Sequence, residues 1–250
     1  ESDSWFVLLD LLILNWISLL TESKINKNKK SQVIARYNRN KNIPPEIKEA
    51  VRYLKKHPYS AFPFKWSQKY VKFFPAVHFD SENKFHYTVL GGKRLYFPEK
   101  FTKDQIIWTI RGISIEQDKN SGHRYLTDVF QVDEDSIVVD AGVAEGIFSL
   151  EIIEKVKKIY LIESNPQWTE ALKLTFAPWK HKVEIIEKYL DEKSTGSSIA
   201  IDDLLSPISN ESYFFKFDIE GYEKKALLGM KNFLANTGQF KICICTYHNP

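Results

Sequence analysis

Charged side chains stand in this sequence where apolar runs end, which is where an open α/β sheet meets its ligand. In "IVVDAGVAEGIFSLEIIEKVKKIYLIESNP" (137–166) one apolar run closes on Asp140, glycines follow at 142 and 146, and the next run closes on Glu163. In "FFKFDIEGYEKKALLGM" (214–230) Lys216 and Asp218 lie two apart, hence on one face of an otherwise apolar strand. A buried strand carries charge only where the charges pair or work, so a Lys216–Asp218 ion pair is the structural alternative to a site. Asp202 and Asp203 close a shorter apolar run in "SSIAIDDLL" (197–205), a similar strand-edge signal.

The glycine turn Asp140-Ala-Gly142-Val-Ala-Glu-Gly146 is not the Gly-x-Gly-x-x-Gly pattern that lets backbone amides approach a pyrophosphate. It sets a carboxylate at the strand tip, which repels pyrophosphate and attracts a ligand carrying an ammonium and a sulfonium. S-adenosylmethionine has both and no phosphate. Glu163, at the next strand tip, is placed to accept hydrogen bonds from ribose hydroxyls. A nicotinamide dehydrogenase is the weaker alternative because the second glycine of its fingerprint is missing.

The elements that must hold these residues are legible in the periodicities. The β-branched run Ile137–Val139 predicts a strand buried on both faces. Ile147, Leu150, Ile153 and Val156 recur at helical spacing, and Ile159–Ile162 predicts the next strand. Strand, turn, helix and strand form a βαβ unit, which requires a parallel sheet and a right-handed crossover. Glu220-Gly221 turns into a further helix with Ala226, Leu227 and Met230 on its apolar side.

Upstream the chain differs in character. Of its 250 residues, the first 79 carry 14 Lys and Arg against 6 Asp and Glu, a balance of +8 inside a total of +3. The basic part can meet anionic lipid, polyanionic glycan or nucleic acid, or be a solvated lysine-rich surface. As a helix, Ser4–Leu20 reaches roughly 24 Å, short of the ~30 Å hydrocarbon core, and Asp10 and Asn15 interrupt it. It is expected to pack on the protein or lie at a membrane surface as a peripheral contact. The chain starts at Glu1 rather than Met, which leaves room for an upstream piece. Residues 21–42, rich in Lys and Asn, are expected to be a linker, and "PPEIKEAVRYLKKH" a helix. Basic–aromatic interleaving in "YSAFPFKWSQKYVKFFPAVHF" can stack single-stranded nucleic acid, but the pattern fits a packing segment better, and no specific nucleic-acid partner is expected. Gly91-Gly92 between alternating apolar residues predicts a two-residue hairpin, and "DQIIWTIRGISIEQD" a helix after it. Cys243 and Cys245, two apart on one strand, are expected to be free thiols in a reducing, cytoplasmic compartment. No Cys-x-x-Cys or paired His spacing suggests a metal. Asn210-Glu211-Ser212 fits a glycosylation sequon, which the thiols make a chance match.

The segments "VVDAGVAEGIFSLE", "IESNP", "IAIDDLL", "FFKFDIEGYEKKALLGM" and "ICTYH", in that order, resemble the FkbM-type methyltransferases over about residues 85–250. The resemblance implies a Rossmann-like class I sheet with helices on both faces and transfer of a methyl group from S-adenosylmethionine to a hydroxyl of a sugar, glycan or secondary metabolite. It implies cofactor contacts at Asp140, Gly142, Ala144, Glu145, Gly146, Glu163, Ser164, Asp202 and Asp218. The family usually has Asn at the place of Ala144, so the methionine-side contact differs here. "SIEQDKNSGHRYL" also resembles a pre-sheet segment that lies over the cofactor. Two further strands should follow "FKICICTYH", yet the sequence ends two residues later, so a fragment lacking its final hairpin is expected. The expected organisation is an extension over 1–84, a hairpin and helical cap over 85–135, and the methyltransferase core over 136–250. A base must take the acceptor's proton. The candidates are Asp218, His123 and His248, with Lys216 beside them, while a divalent metal has no evident ligand set. The alternative from another class is a non-catalytic nucleoside-binding module whose basic N-terminal region binds membrane or polyanion.

Overall fold

A computed structural model describes residues 24–39, 42–207 and 210–246. Two compact units divide the chain. Within the described residues the first comprises 24–73 with 111–122, and the second 74–110 with 123–246. The apolar stretch Ser4–Leu20 and His248 lie outside the described residues.

In the first unit, helix α1 (Lys24–Asn38) packs against α2 (Pro45–Lys56). Residues 24–38 are therefore helix, not linker. Of the side chains described there, Asn26 is buried and Lys29, Lys30, Val33, Ile34 and Tyr37 are half-buried, a stripe too mixed for a hydropathy pattern to register. Neither Pro nor Gly interrupts the run, so propensity allows the helix once α2 covers that stripe. The basic–aromatic stretch forms a 3-10 turn over Lys65–Tyr70. Phe64 stacks on Trp66 while Lys65 and Lys69 stay exposed. Asp118 closes the unit, accepting from Tyr70 at 2.7 Å and pairing with Lys69.

The second unit opens with an antiparallel sheet of β1 (His78–Asp80), β2 (Phe85–Leu90) and β3 (Lys93–Tyr96). Gly91 and Gly92 join β2 to β3 with φ of +55° and +79°, the pair of positive angles that a type I′ turn demands. Helix α3 (Lys103–Glu116) follows, its last residues from Arg111 belonging to the first unit. The main sheet is then built from β4 (Ile137–Ala141), α4 (Ile147–Ile152), β5 (Lys158–Ile162), α5 (Pro166–Thr175) and β6 (Val183–Ile186). A small parallel pair, β7 (Tyr189–Leu190) and β8 (Ser198–Ile199), leads into α6 (Ile201–Leu204). The chain returns through β9 (Tyr213–Phe217), α7 (Glu223–Leu228), α8 (Lys231–Asn236) and β10 (Phe240–Ile244). All pairings in the main sheet are parallel, in the order β10-β9-β4-β5-β6.

That order places two successive strands to one side of β4 and two to the other. The strand order reverses between β4 and β9, and the crevice outside their carboxyl ends is where such sheets hold ligands. Alternation along the strands builds two cores. Val138, Ile159, Leu161 and Phe214 face α4 and α5, with Phe148, Leu150, Leu172 and Phe176. Val139, Ala141, Tyr213, Phe215 and Phe217 face α7 and α8, with Ala226, Met230 and Phe233. Both faces are covered, as a parallel sheet requires. This is the Rossmann-like parallel sheet with helices on both faces expected from the sequence.

Gly142 shows how closely the two central strands approach at their tips. Its φ is +71°, and a Cβ built there would lie 1.8 Å from the carbonyl oxygen of Asp218. That neighbour is backbone and cannot rotate away. Gly142→Ala is therefore expected to cost on the order of 3 kcal/mol from overpacking plus the left-handed angle. Gly196→Ala, where nothing lies within 4 Å, should stay within about 0.5 kcal/mol. Urea unfolding of the two variants checks this.

Candidate functional site

Register brings the central charges together. Asp140 of β4 stands opposite Lys216 of β9, and both point toward α4 because they share a face with Val138 and Phe214. Lys216 Nζ lies 3.1 Å from Asp140 Oδ1 and donates to the Gly142 carbonyl at 2.7 Å. Asp140 Oδ2 accepts from the Ser149 hydroxyl at 2.8 Å, while Oδ1 has the lysine's charge but no aligned hydrogen bond. Both charged side chains are almost fully buried. Lys216 thus pairs across the strands with Asp140, the counterpart that strand spacing alone does not reveal. Burial pulls the Lys216 ammonium down, but the surrounding carboxylates of Asp140, Asp218 and Glu145 outweigh it and raise it above the ordinary lysine value.

Asp218 sits one residue past β9, its N–H held by the Ala141 carbonyl at 3.1 Å. The Tyr125 hydroxyl donates to Asp218 Oδ2 at 2.6 Å. The Tyr125 ring lies 5.1 Å from Lys216 Nζ and meets Phe148 edge-on. Burial, then the Asp218 carboxylate, push the Tyr125 phenol well above its ordinary value, so it remains a donor. Past Asp218, Glu220 and Gly221 take φ of +54° and +98°. Glu223 caps this turn, accepting from the N–H groups of Ile219 and Gly221.

Glu163 ends β5 with both oxygens on backbone. Oε2 accepts from Ala144 N–H at 2.9 Å and Oε1 from Asn165 N–H at 2.8 Å. A carboxylate has about four lone-pair sites, so two acceptor positions remain. Burial raises the Glu163 carboxyl, opposed by those two amides. The bond to Ala144 also holds the turn in its left-handed bend, with Ala144 at φ +46° and Gly146 at +82°. Glu145, between them, is buried and pushed up to about 7, first by burial and further by Asp140 and Asp218.

The remaining expectations divide. Gly142, Ala144, Glu145, Gly146, Glu163, Lys216 and Asp218 come together at the strand tips, with Ser164 half-buried beside Glu163. Asp202 does not end a strand: it lies in α6, and its two oxygens accept from Asn232 and Phe233 N–H at 3.0 and 2.7 Å, capping α8. His123 is exposed, two residues before Tyr125. Tyr125 and Ser149 went unnoticed in the sequence. Ser149 had a weak signal, a hydroxyl three residues into a helix whose neighbours are apolar, whereas "GHRYLTDVF" offers no period that marks Tyr125. Among the described residues no group of three or more His, Cys, Asp or Glu is arranged to hold a metal ion, and no helix is long and apolar enough to cross a membrane.

No protein-family model and no curated protein matches the sequence. Among solved structures, the chain is similar to methyltransferase FkbM from Methylobacillus flagellatus KT, with 15% identity and a TM-score of 0.44 over 86% of this chain and 59% of that one. It is similar to coclaurine N-methyltransferase bound to N-methylheliamine and SAH, with 13% identity and a TM-score of 0.37 over 94% and 62% of the two chains. It is also similar to an rRNA methylase from Streptococcus thermophilus, with 20% identity and a TM-score of 0.33 over 47% and 66%. The chain thus spans 59% of the length of the FkbM structure.

Two stability measurements follow from the buried charges. Lys216→Met leaves Asp140 buried without its countercharge and is expected to cost about 3–5 kcal/mol in urea unfolding, most of it recovered by adding Asp140→Asn. For Glu145, the folded protein holds the proton to about pH 7, whereas the unfolded chain loses it near 4.5. Raising pH across that window therefore removes stability, on the order of 3 kcal/mol in all, levelling off about one pH unit above the folded value. Glu145→Gln should flatten that part of the stability–pH curve.

Proposed function

We propose that this chain is an S-adenosylmethionine-dependent O-methyltransferase acting on a hydroxyl of a sugar, glycan or secondary metabolite. The observation that carries the reading is the crowding of acids at the switch point. Asp140, Glu145, Glu163 and Asp218 gather there near the Lys216 ammonium. Such a field favours a ligand that is cationic and free of phosphate, and disfavours a dinucleotide. The residues fit the cofactor on a second count. Glu163 keeps two acceptor positions after bonding the backbone, matching the two hydroxyls of a ribose. The sugar-type acceptor rests on the sequence resemblance alone.

When bound, the cofactor supplies an electrophilic methyl on a sulfonium, displaced in line by the acceptor oxygen. Glu163 holds the ribose, and the turn from Gly142 to Gly146 holds the methionine end. Asp140 acts from beneath, fixing Lys216 and the turn. Asp218, oriented by Tyr125, is the group to take the acceptor's proton, so the acceptor oxygen gains a methyl, gives up its proton and ends neutral. His123 and His248 remain secondary candidates for that role. The setting we propose is cytoplasmic, with Ser4–Leu20 as a peripheral membrane contact.

Calorimetric titration with S-adenosylhomocysteine tests the cofactor. Micromolar binding is expected, weakened at least about tenfold by Glu163→Ala, a loss of roughly 1.4 kcal/mol. Asp218→Asn should keep that binding and lower methyl transfer to a sugar panel by about 100-fold or more. Binding without turnover on any acceptor would favour the nucleoside-binding module instead.

A further inference from the structure

Glu145 is the one member of this group whose carboxylate has no partner to explain it. The residue is 9% exposed. It forms no ion pair and accepts no hydrogen bond from another residue, only its own backbone N–H reaching it. Its neighbours are specific. Lys216 of β9 attracts it, Asp140 of β4 and Asp218 beyond β9 repel it, and the Tyr125 phenol of the 123–133 segment is near enough to feel its charge. Glu163, at the tip of β5, holds the N–H of the preceding residue, and Ala144 and Gly146 on either side have left-handed angles. The turn is thus pinned from outside while the acid it carries has no partner residue. Lys216 cannot serve as its partner, because that ammonium is already engaged by Asp140 and the Gly142 carbonyl.

We propose that Glu145 is the seat for a positively charged group of the cofactor and releases its proton to solvent when that cation arrives, so that loading is proton-linked. The inference rests on the reading of the site as one for S-adenosylmethionine. Before loading, three neighbouring acids share one lysine, and a neutral Glu145 is the cheaper state. A cation placed against it supplies the missing countercharge and turns the neutral acid into a carboxylate. The raised proton affinity of the buried acid, near 7, sets the range in which the exchange is visible. Since binding expels a proton, affinity must rise with pH while the free site is protonated and level off above that range. Two ligand groups qualify, the α-ammonium and the sulfonium, and simple analogues separate them.

The test is calorimetry on the wild-type chain at pH 6.5 in two buffers of different ionisation enthalpy, with titrations repeated from pH 6 to 8. The probes are S-adenosylmethionine, S-adenosylhomocysteine, which lacks the sulfonium, and 5′-methylthioadenosine, which lacks both cations. More than half a proton should be released with S-adenosylmethionine, and affinity should tighten several-fold from pH 6 to 8. Release with S-adenosylhomocysteine as well assigns the ammonium, and release with S-adenosylmethionine alone assigns the sulfonium; either supports the inference. 5′-Methylthioadenosine should bind without release, and Glu145→Gln should bind the charged ligands with pH-independent affinity. Equal release with 5′-methylthioadenosine, tight binding with no release, or release surviving in Glu145→Gln would each overturn proton-linked loading and leave the cofactor reading standing. Failure of a folded wild-type chain to bind any of the three would remove both.

Discussion

The buried pair of Lys216 and Asp140 is the interaction on which the rest of the site depends. It forms only because β4 and β9 are parallel neighbours in one register, with residue 140 opposite residue 216. A slip of one residue would turn the Lys216 ammonium to the opposite face of the sheet, against Ala226, Met230 and Phe233. A buried ion pair often gains little over apolar residues of similar volume, because desolvation offsets the attraction. Its consequence here is geometric. Through the Gly142 carbonyl the lysine also ties down the turn, and Gly142 in turn lets the backbone of Asp218 pass at contact distance.

From that frame the remaining charges acquire unequal tasks. Asp140 is consumed by Lys216 and Ser149, and Asp218 is directed by Tyr125. Glu163 divides its oxygens between two backbone amides and keeps acceptor capacity in reserve. Glu145 accepts only from its own backbone N–H and has no partner residue, while Asp140 Oδ1 faces the lysine without an aligned hydrogen bond. Asp140, Asp218 and Glu145 crowd the Lys216 ammonium, and that crowding keeps the ammonium charged while it helps hold the Glu145 proton to higher pH. Burial strengthens these interactions, since fewer water dipoles screen them.

Much of the fold was legible in the sequence. Apolar runs of β-branched residues marked β4 and β5, the 3.6 period marked the helix between them, and Gly91-Gly92 marked the hairpin turn. These signals work because they report local backbone preference and the number of faces an element must bury. The failures share one cause. α1 buries Asn26 and half-buries Lys29 and Lys30 beside Val33, Ile34 and Tyr37, so its stripe is mixed in composition and leaves no clear period. Asp202 looked like a strand end, yet it caps α8, a partner roughly thirty residues away that local spacing cannot indicate.

The residue types at 140, 142, 145, 163, 216 and 218 were determined by the sequence itself, and with them the acidic character of the turn. Which of those acids is satisfied was decided only by tertiary structure. Lys216 has Asp218 two residues away and Asp140 seventy-six residues away, and the parallel register chooses the distant one. Tyr125, far from either in the chain, then takes Asp218. Local periodicity fixes the face on which a side chain stands, whereas pairing between strands fixes what stands opposite it.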